Sequence, residues 1–89
     1  MTATTNLQVG NEWVVIADSA VGDSVCSWQN YQLFRLEFAI SPDDLADDLR
    51  GLYTDGGKRE DFAGFEGKVR VRYPSAKAGE TFPIGVIVT

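Results

Sequence analysis

The 89-residue chain has room for one small domain. With 44% hydrophobic and 11% aromatic residues it has the composition of a folded globular protein rather than a disordered one, and no apolar run approaches the roughly 20 residues of a membrane helix. Thirteen acidic against eight basic residues give a net charge of −5, which argues against nucleic-acid binding, since that needs a basic face to displace counterions.

A single cysteine excludes an internal disulfide framework and points to a reducing compartment. The absence of histidine removes Ser-His, Cys-His and His-metal chemistry. There is no nucleophile elbow, phosphate loop, CxxC pair or EF-hand loop. The opening Met1-Thr2-Ala3-Thr4-Thr5 has neither the basic nor the apolar region of a secretory leader. The expectation is a non-enzyme without cofactor or metal.

In chain order, residues 1–11 are small and polar and end on the turn signal Gly10-Asn11; they read as an N-terminal arm or edge segment. Residues 12–89 read as one β domain. Glu12 to Ala17 is a β-branched run that predicts a strand buried on both faces. Asp18 to Ser24 reads as a loop. Val25 to Asn30 predicts a second strand, with Cys26 and Trp28 on one face. Leu33 to Ile40 alternates with period 2: Phe34, Leu36, Phe38 and Ile40 on one side, Arg35 and Glu37 on the other.

Ser41-Pro42-Asp43-Asp44 reads as a helix start, with a capping serine, proline at the first helical position and acids at the positive end of the dipole. Leu45, Leu49 and Leu52 form one stripe and Gly51 a stop, predicting a helix of about two turns. Tyr53 to Gly67 reads as a long charged loop with a turn at Asp55-Gly56-Gly57-Lys58, pinned to the body by Phe62 and Phe65. The insertion thus spans about 41–66. Lys68 to Tyr73 alternates again: Val69, Val71 and Tyr73 in, Lys68, Arg70 and Arg72 out. Pro74 to Glu80 forms a turn, and Phe82 to Val88 is the last strand, with Pro83 at its start or at an edge. The fold class is all-β, a small, mainly antiparallel β-sandwich or partly open barrel with one short helix or helical turn in a long loop.

Several constellations carry more than one reading. Asp43, Asp44, Asp47 and Asp48 suggest calcium, but helical spacing makes them two like-charge pairs rather than a cage, so a solvated acidic helix start is favoured. The row Lys68, Arg70, Arg72 reads as the polar face of a sheet or as a strip that docks a carboxylate-rich partner. Charge is segregated: residues 41–66 hold eight acids and three bases, residues 67–77 four bases and no acid. Such a molecule can assemble on a lattice. Trp13 and Trp28 read as core, while Tyr31 and Tyr53 fall at ends or loops and read as exposed contacts. Cys26 has no activating partner and reads as a small buried hydrophobe. Asp61 and Glu66 are a carboxylate pair, but a glycosidase cleft has little room in this chain.

Taken together, Glu12-Trp13-Val14-Val15-Ile16-Ala17, Trp28-Gln29-Asn30, the Ser41-Pro42 loop, Gly67-Lys68-Val69-Arg70-Val71-Arg72 and Pro83-Ile84-Gly85-Val86-Ile87-Val88 resemble the small structural proteins of tailed bacteriophages. That resemblance implies a minimal β-sandwich that decorates or cements a capsid, or sits on a head or tail fibre. The implied function is a non-enzymatic virion protein made in the bacterial cytoplasm. Its partner would be the major capsid protein or another virion protein, bound as a homo-oligomer or in many copies on a shell by multivalency, with neither nucleic acid nor membrane as partner. The expected contacts are the arm (Thr2, Thr4, Asn6, Leu7), Tyr31, the loop residues Asp55 and Phe62, and the strip Lys68, Arg70 and Arg72. Two other readings stand beside it. One is an acidic inhibitor that mimics nucleic acid through Asp43 to Asp48, extended by Asp55, Glu60 and Asp61. The other is a carbohydrate-binding fibre module with an exposed tyrosine or tryptophan in a groove.

Overall fold

The computed structural model describes residues 3–42 and 51–89. Eight strands are present among them: β1 (Ala3–Val9), β2 (Val14–Asp18), β3 (Val25–Gln29), β4 (Leu36–Ser41), β5 (Leu52–Thr54), β6 (Arg59–Ala63), β7 (Lys68–Arg72) and β8 (Phe82–Val88). They form two four-stranded antiparallel sheets, ordered β1-β8-β3-β6 and β2-β7-β4-β5. Every connection except β4–β5 passes from one sheet to the other. The all-β expectation holds. The helix expected from a cap at Ser41 through the stripe Leu45, Leu49 and Leu52 is corrected at both ends, where Ser41 closes β4 and Leu52 opens β5, because strand pairing claims both residues; its middle, residues 43–50, lies outside the described residues. Among the described residues a single 3-10 turn stands at Ser19–Val21.

Alternation builds the core. In β3, Cys26 and Trp28 point inward; in β4, Leu36 and Phe38; in β7, Val69 and Val71; in β8, Ile84 and Val86. Trp28 is the keystone. Its ring meets Phe38 edge-on at 5.0 Å and stacks on Phe62 at 5.5 Å, tying both sheets together. Its indole N–H donates to Thr54 Oγ1 at 3.0 Å, so burial leaves that donor satisfied. Truncation to alanine at such a site costs about 3–5 kcal/mol. A second aromatic group, Phe34, Tyr73 and Phe82, closes the other end with centroids 4.9–5.7 Å apart.

Three further sequence expectations are corrected and one is narrowed. Residues 1–11 were expected as an arm or edge segment; from Ala3 to Val9 they are the edge segment, a strand paired with β8 along its whole length from Ala3↔Val88 to Val9↔Phe82. Leu7 and Val9 reach the core from it, which holds the strand in place. The Tyr53–Gly67 loop contains β5 and β6. Arg59-Glu60-Asp61 reads as loop by composition, but an edge strand needs one apolar side, and Phe62 supplies it. The first apolar run is not buried on both faces: β2 is an edge strand with a bulge between Val15 and Ala17, and Val15 is exposed. Trp13 lies outside the core cluster and packs under the Arg72 guanidinium, 4.2 Å from its ring centroid.

Candidate functional site

The β3–β4 connection is built around one buried amide. Asn30 is 0% exposed. Its Nδ2 donates to the carbonyls of Phe34 (2.8 Å), Thr54 (3.2 Å) and Asp55 (3.3 Å). Its Oδ1 accepts from the Gln32 amide (3.0 Å) and the Tyr73 hydroxyl (2.6 Å). The backbone adds to this. Asn30 N–H donates to Lys58 O at 2.9 Å, and Gly57 N–H lies 3.0 and 3.1 Å from the carbonyls of Asn30 and Gln32. The turn at 55–58 can press this close because Gly56 has no Cβ, which would fall 2.5 Å from Leu33 O. Phe34 then anchors the far end of the loop in the aromatic group around Tyr73.

A segment held at both ends displays what lies between. Leu33 is 99% exposed and Tyr31 56% exposed. Tyr31 is not free to swing. It lies over Gly85 in the middle of β8, where a Cβ would stand 2.3 Å from the tyrosine oxygen. Beside it runs a groove of about 220 Å³ on the outer face of the first sheet, lined by Tyr31, Ser27, Gln29, Arg59, Gly85 and Ile87. Arg59, at the groove's rim, donates to Asp61 at 2.9 Å. Hydrogen bonds from Ser27 and then Arg59 lower the Asp61 pKa. Two large side chains on a hydrogen-bonded loop, next to a groove with both apolar and polar walls, match what association between proteins favours: anchors that lose little conformational freedom on binding.

The other expected contacts separate. Thr2 lies outside the described residues. Thr4 and Asn6 pair with Ile87 and Gly85, so Asn6 belongs to the same outer face as Tyr31. Leu7 packs on the core, and Phe62 stacks on Trp28. Asp55 pairs with Arg35 at 3.4 Å, an exposed contact of small energetic value. Lys68, Arg70 and Arg72 do lie on the outer side of the second sheet, but not as a projecting strip. Arg70 is buried on the central strand, and Arg72 reaches Glu37, whose side chain is 1% exposed. Glu37 Oε2 also accepts from the Gly51 amide at 2.8 Å. Sequence reading missed Leu33, which it placed in a strand, and Asn30, whose partners lie up to 43 residues away.

Nothing in this arrangement supplies a strong nucleophile. Burial pushes the Cys26 thiol up to about 12, with a smaller push from Asp23, so no thiolate forms at neutral pH. Among the described residues no group of three or more Asp, Glu or Cys is placed to hold a metal ion, and no helix is long and apolar enough to cross a membrane. No family model, curated protein or solved structure matches the chain.

Proposed function

We propose that the chain is a non-enzymatic virion subunit, a capsid decoration or cement protein, that docks onto a protein surface through the Tyr31–Leu33 loop. The observation that carries the reading is a fully exposed leucine on a loop fixed by a fully buried asparagine. Exposed single leucines are common and need no explanation. This one is held by five side-chain hydrogen bonds of its neighbour Asn30, an investment of buried polar groups that a passive connection does not require. The setting, a symmetric phage shell, comes from the sequence resemblance, and many copies on such a shell turn a modest contact into firm attachment.

The test is co-sedimentation with purified particles stripped of the subunit. Tyr31→Ala and Leu33→Asp leave the core untouched and should keep the wild-type unfolding midpoint. Each should weaken particle binding by about 30-fold, the loss of a contact worth about 2 kcal/mol. Wild-type binding by both variants sinks the docking surface. Absence of the wild-type chain from every particle preparation sinks the virion setting.

One observation favours a second reading, a carbohydrate-binding module. The groove sets an aromatic wall, Tyr31, beside the Gln29 amide and the Arg59 guanidinium, a chemistry suited to sugar hydroxyls. Chemical-shift changes confined to Tyr31, Gln29 and Arg59 on titration with oligosaccharides would favour it over the protein contact.

A further inference from the structure

Among the described residues the two sheets leave four edges, and three of them are guarded. β5 is three residues long. β6 carries three successive charges, Arg59, Glu60 and Asp61. β2 is broken by a register shift between Val15 and Ala17. Short edges, charges and bulges are the usual devices against unwanted pairing. β1 has none of them. Its seven residues, Ala-Thr-Thr-Asn-Leu-Gln-Val, contain no charge and no proline, and its register with β8 runs unbroken from Ala3 to Val9. Along its outer side, alternate residues present N–H and C=O groups that no strand among the described residues meets.

We infer that β1 is a self-pairing edge, where a second copy of this chain adds its own β1 antiparallel about a two-fold axis at Asn6. The strand is self-complementary in that register. Ala3 meets Val9, Thr4 meets Gln8, Thr5 meets Leu7, and Asn6 meets its own symmetry mate. Pairing with β8 places Thr5, Leu7 and Val9 on the side of Val86, Ile84 and Phe82, the core side. The two-fold axis therefore sets core side beside core side and outer side beside outer side, as a sheet that keeps one face buried requires. Charge favours the same occupant. Each copy carries a net −5, and an uncharged strip is where two such molecules can meet with no like charges opposed. The product is a continuous eight-stranded sheet.

That geometry has a consequence for the docking loop, although it does not depend on the loop's proposed role. Gly85 pairs with Asn6, and Tyr31 lies over Gly85. Three strand spacings of about 4.8 Å separate the two Gly85 residues across the axis, about 14 Å in all. The dimer thus presents two Tyr31 rings on one flat face.

Sedimentation velocity on the purified chain, from micromolar to near-millimolar, tests this. A species of twice the 9.7 kDa chain mass should form reversibly. Asn6→Lys places two ammonium groups face to face on the axis and should raise the dissociation constant about tenfold. Ala63→Lys adds the same charge at an exposed site on β6, the opposite edge of the same sheet, and should change nothing. Asn6→Cys should cross-link to a dimer under mild oxidation, because facing residues of an antiparallel pair sit within disulfide reach; Cys26 is buried and does not compete. A wild-type chain that stays monomeric at near-millimolar concentration overturns the inference, and so does a dimer that Asn6→Lys leaves intact. Either result leaves the Tyr31–Leu33 docking surface to stand or fall on particle binding alone.

Discussion

Replacing Asn30 by alanine should be among the most damaging changes in the chain, although the side chain removed is small and polar. Five hydrogen bonds end on it, and two of them, to Thr54 O and from the Tyr73 hydroxyl, are buried. The other three reach the half-buried groups Phe34 O, Asp55 O and Gln32 N–H, which water can satisfy once the loop opens. Leaving a buried group unpaired costs about 1–3 kcal/mol, so the two buried partners alone set a loss of about 4 kcal/mol. Proteins of this length have about 4–13 kcal/mol in total. Urea unfolding reads the loss directly, and amide exchange at Gln32 should lose its protection first. Asn30→Asp isolates the cause. It keeps the shape and the acceptor for Gln32 and Tyr73, but turns the amide's NH₂ into an oxygen facing three carbonyls. It should be as damaging as alanine at neutral pH. The unfavourable surroundings raise the carboxyl pKa in the fold above its unfolded value of about 3.9. The protonated acid can donate one of the lost bonds, so stability should recover as pH falls. An Asn30→Asp variant as stable as wild type at pH 7, or an Asn30→Ala loss below about 1 kcal/mol, would refute the view that this amide fixes the loop.

Three further outcomes follow from the geometry. Gly85→Ala should displace the Tyr31 phenol, whose oxygen stands 2.3 Å from the new methyl; ring shifts of Tyr31 should move and particle binding should weaken, while the unfolding free energy changes by less than about 1 kcal/mol, since a side-chain end yields easily. Glu37→Gln should cost about 3 kcal/mol by leaving the part-buried Arg72 guanidinium without its carboxylate, and a cycle with Arg72→Met should show that the two losses do not add. Burial raises the Tyr73 hydroxyl to about 12. A raised pKa favours the protonated fold, so this contribution is intact below the unfolded value of about 10 and is lost as pH climbs through about 12; comparing unfolding of wild type and Tyr73→Phe across that window should show the alkaline decline in the wild type and its absence in the variant.

How much of this was legible in the sequence depends on where each residue finds its partners. Leu36-Glu37-Phe38 and Val69-Arg70-Val71 reveal their strands because both faces of a central strand are written into a period of 2. β6 hides because its charged residues sit at an edge where one phenylalanine is enough. β1 hides because Thr, Asn and Gln carry no contrast between its two sides, and Leu7 and Val9 alone mark the core face. Tyr31 was readable as a contact from its position at the end of a strand. Leu33 was not, because it adjoins the Phe34-Leu36-Phe38 alternation and the strand begins three residues later than that pattern suggests. Asn30 defeats local reading altogether, since its side-chain partners include residues 24, 25 and 43 positions away.

The outer faces of the two sheets differ in how their charges are engaged, which favours the tyrosine loop over the basic strip as the proposed contact surface. On the second sheet the arginines are already engaged. Arg72 lies between Trp13 and Glu37, and Arg35 sits 5.3 Å over Tyr53 while pairing with Asp55. Arg70 is buried among its neighbours. A partner docking there would have to break charge-assisted contacts before making its own, and stripping one member from a part-buried pair is expensive. On the first sheet, Tyr31 and Leu33 offer apolar area on a loop that is already ordered, so water leaves without an internal bond being lost and without new ordering of the chain. Segregated charge in the sequence suggested a docking strip; folded, Arg70 and Arg72 are held within one face, and the proposed contacts fall on the uncharged loop and the uncharged β1 edge.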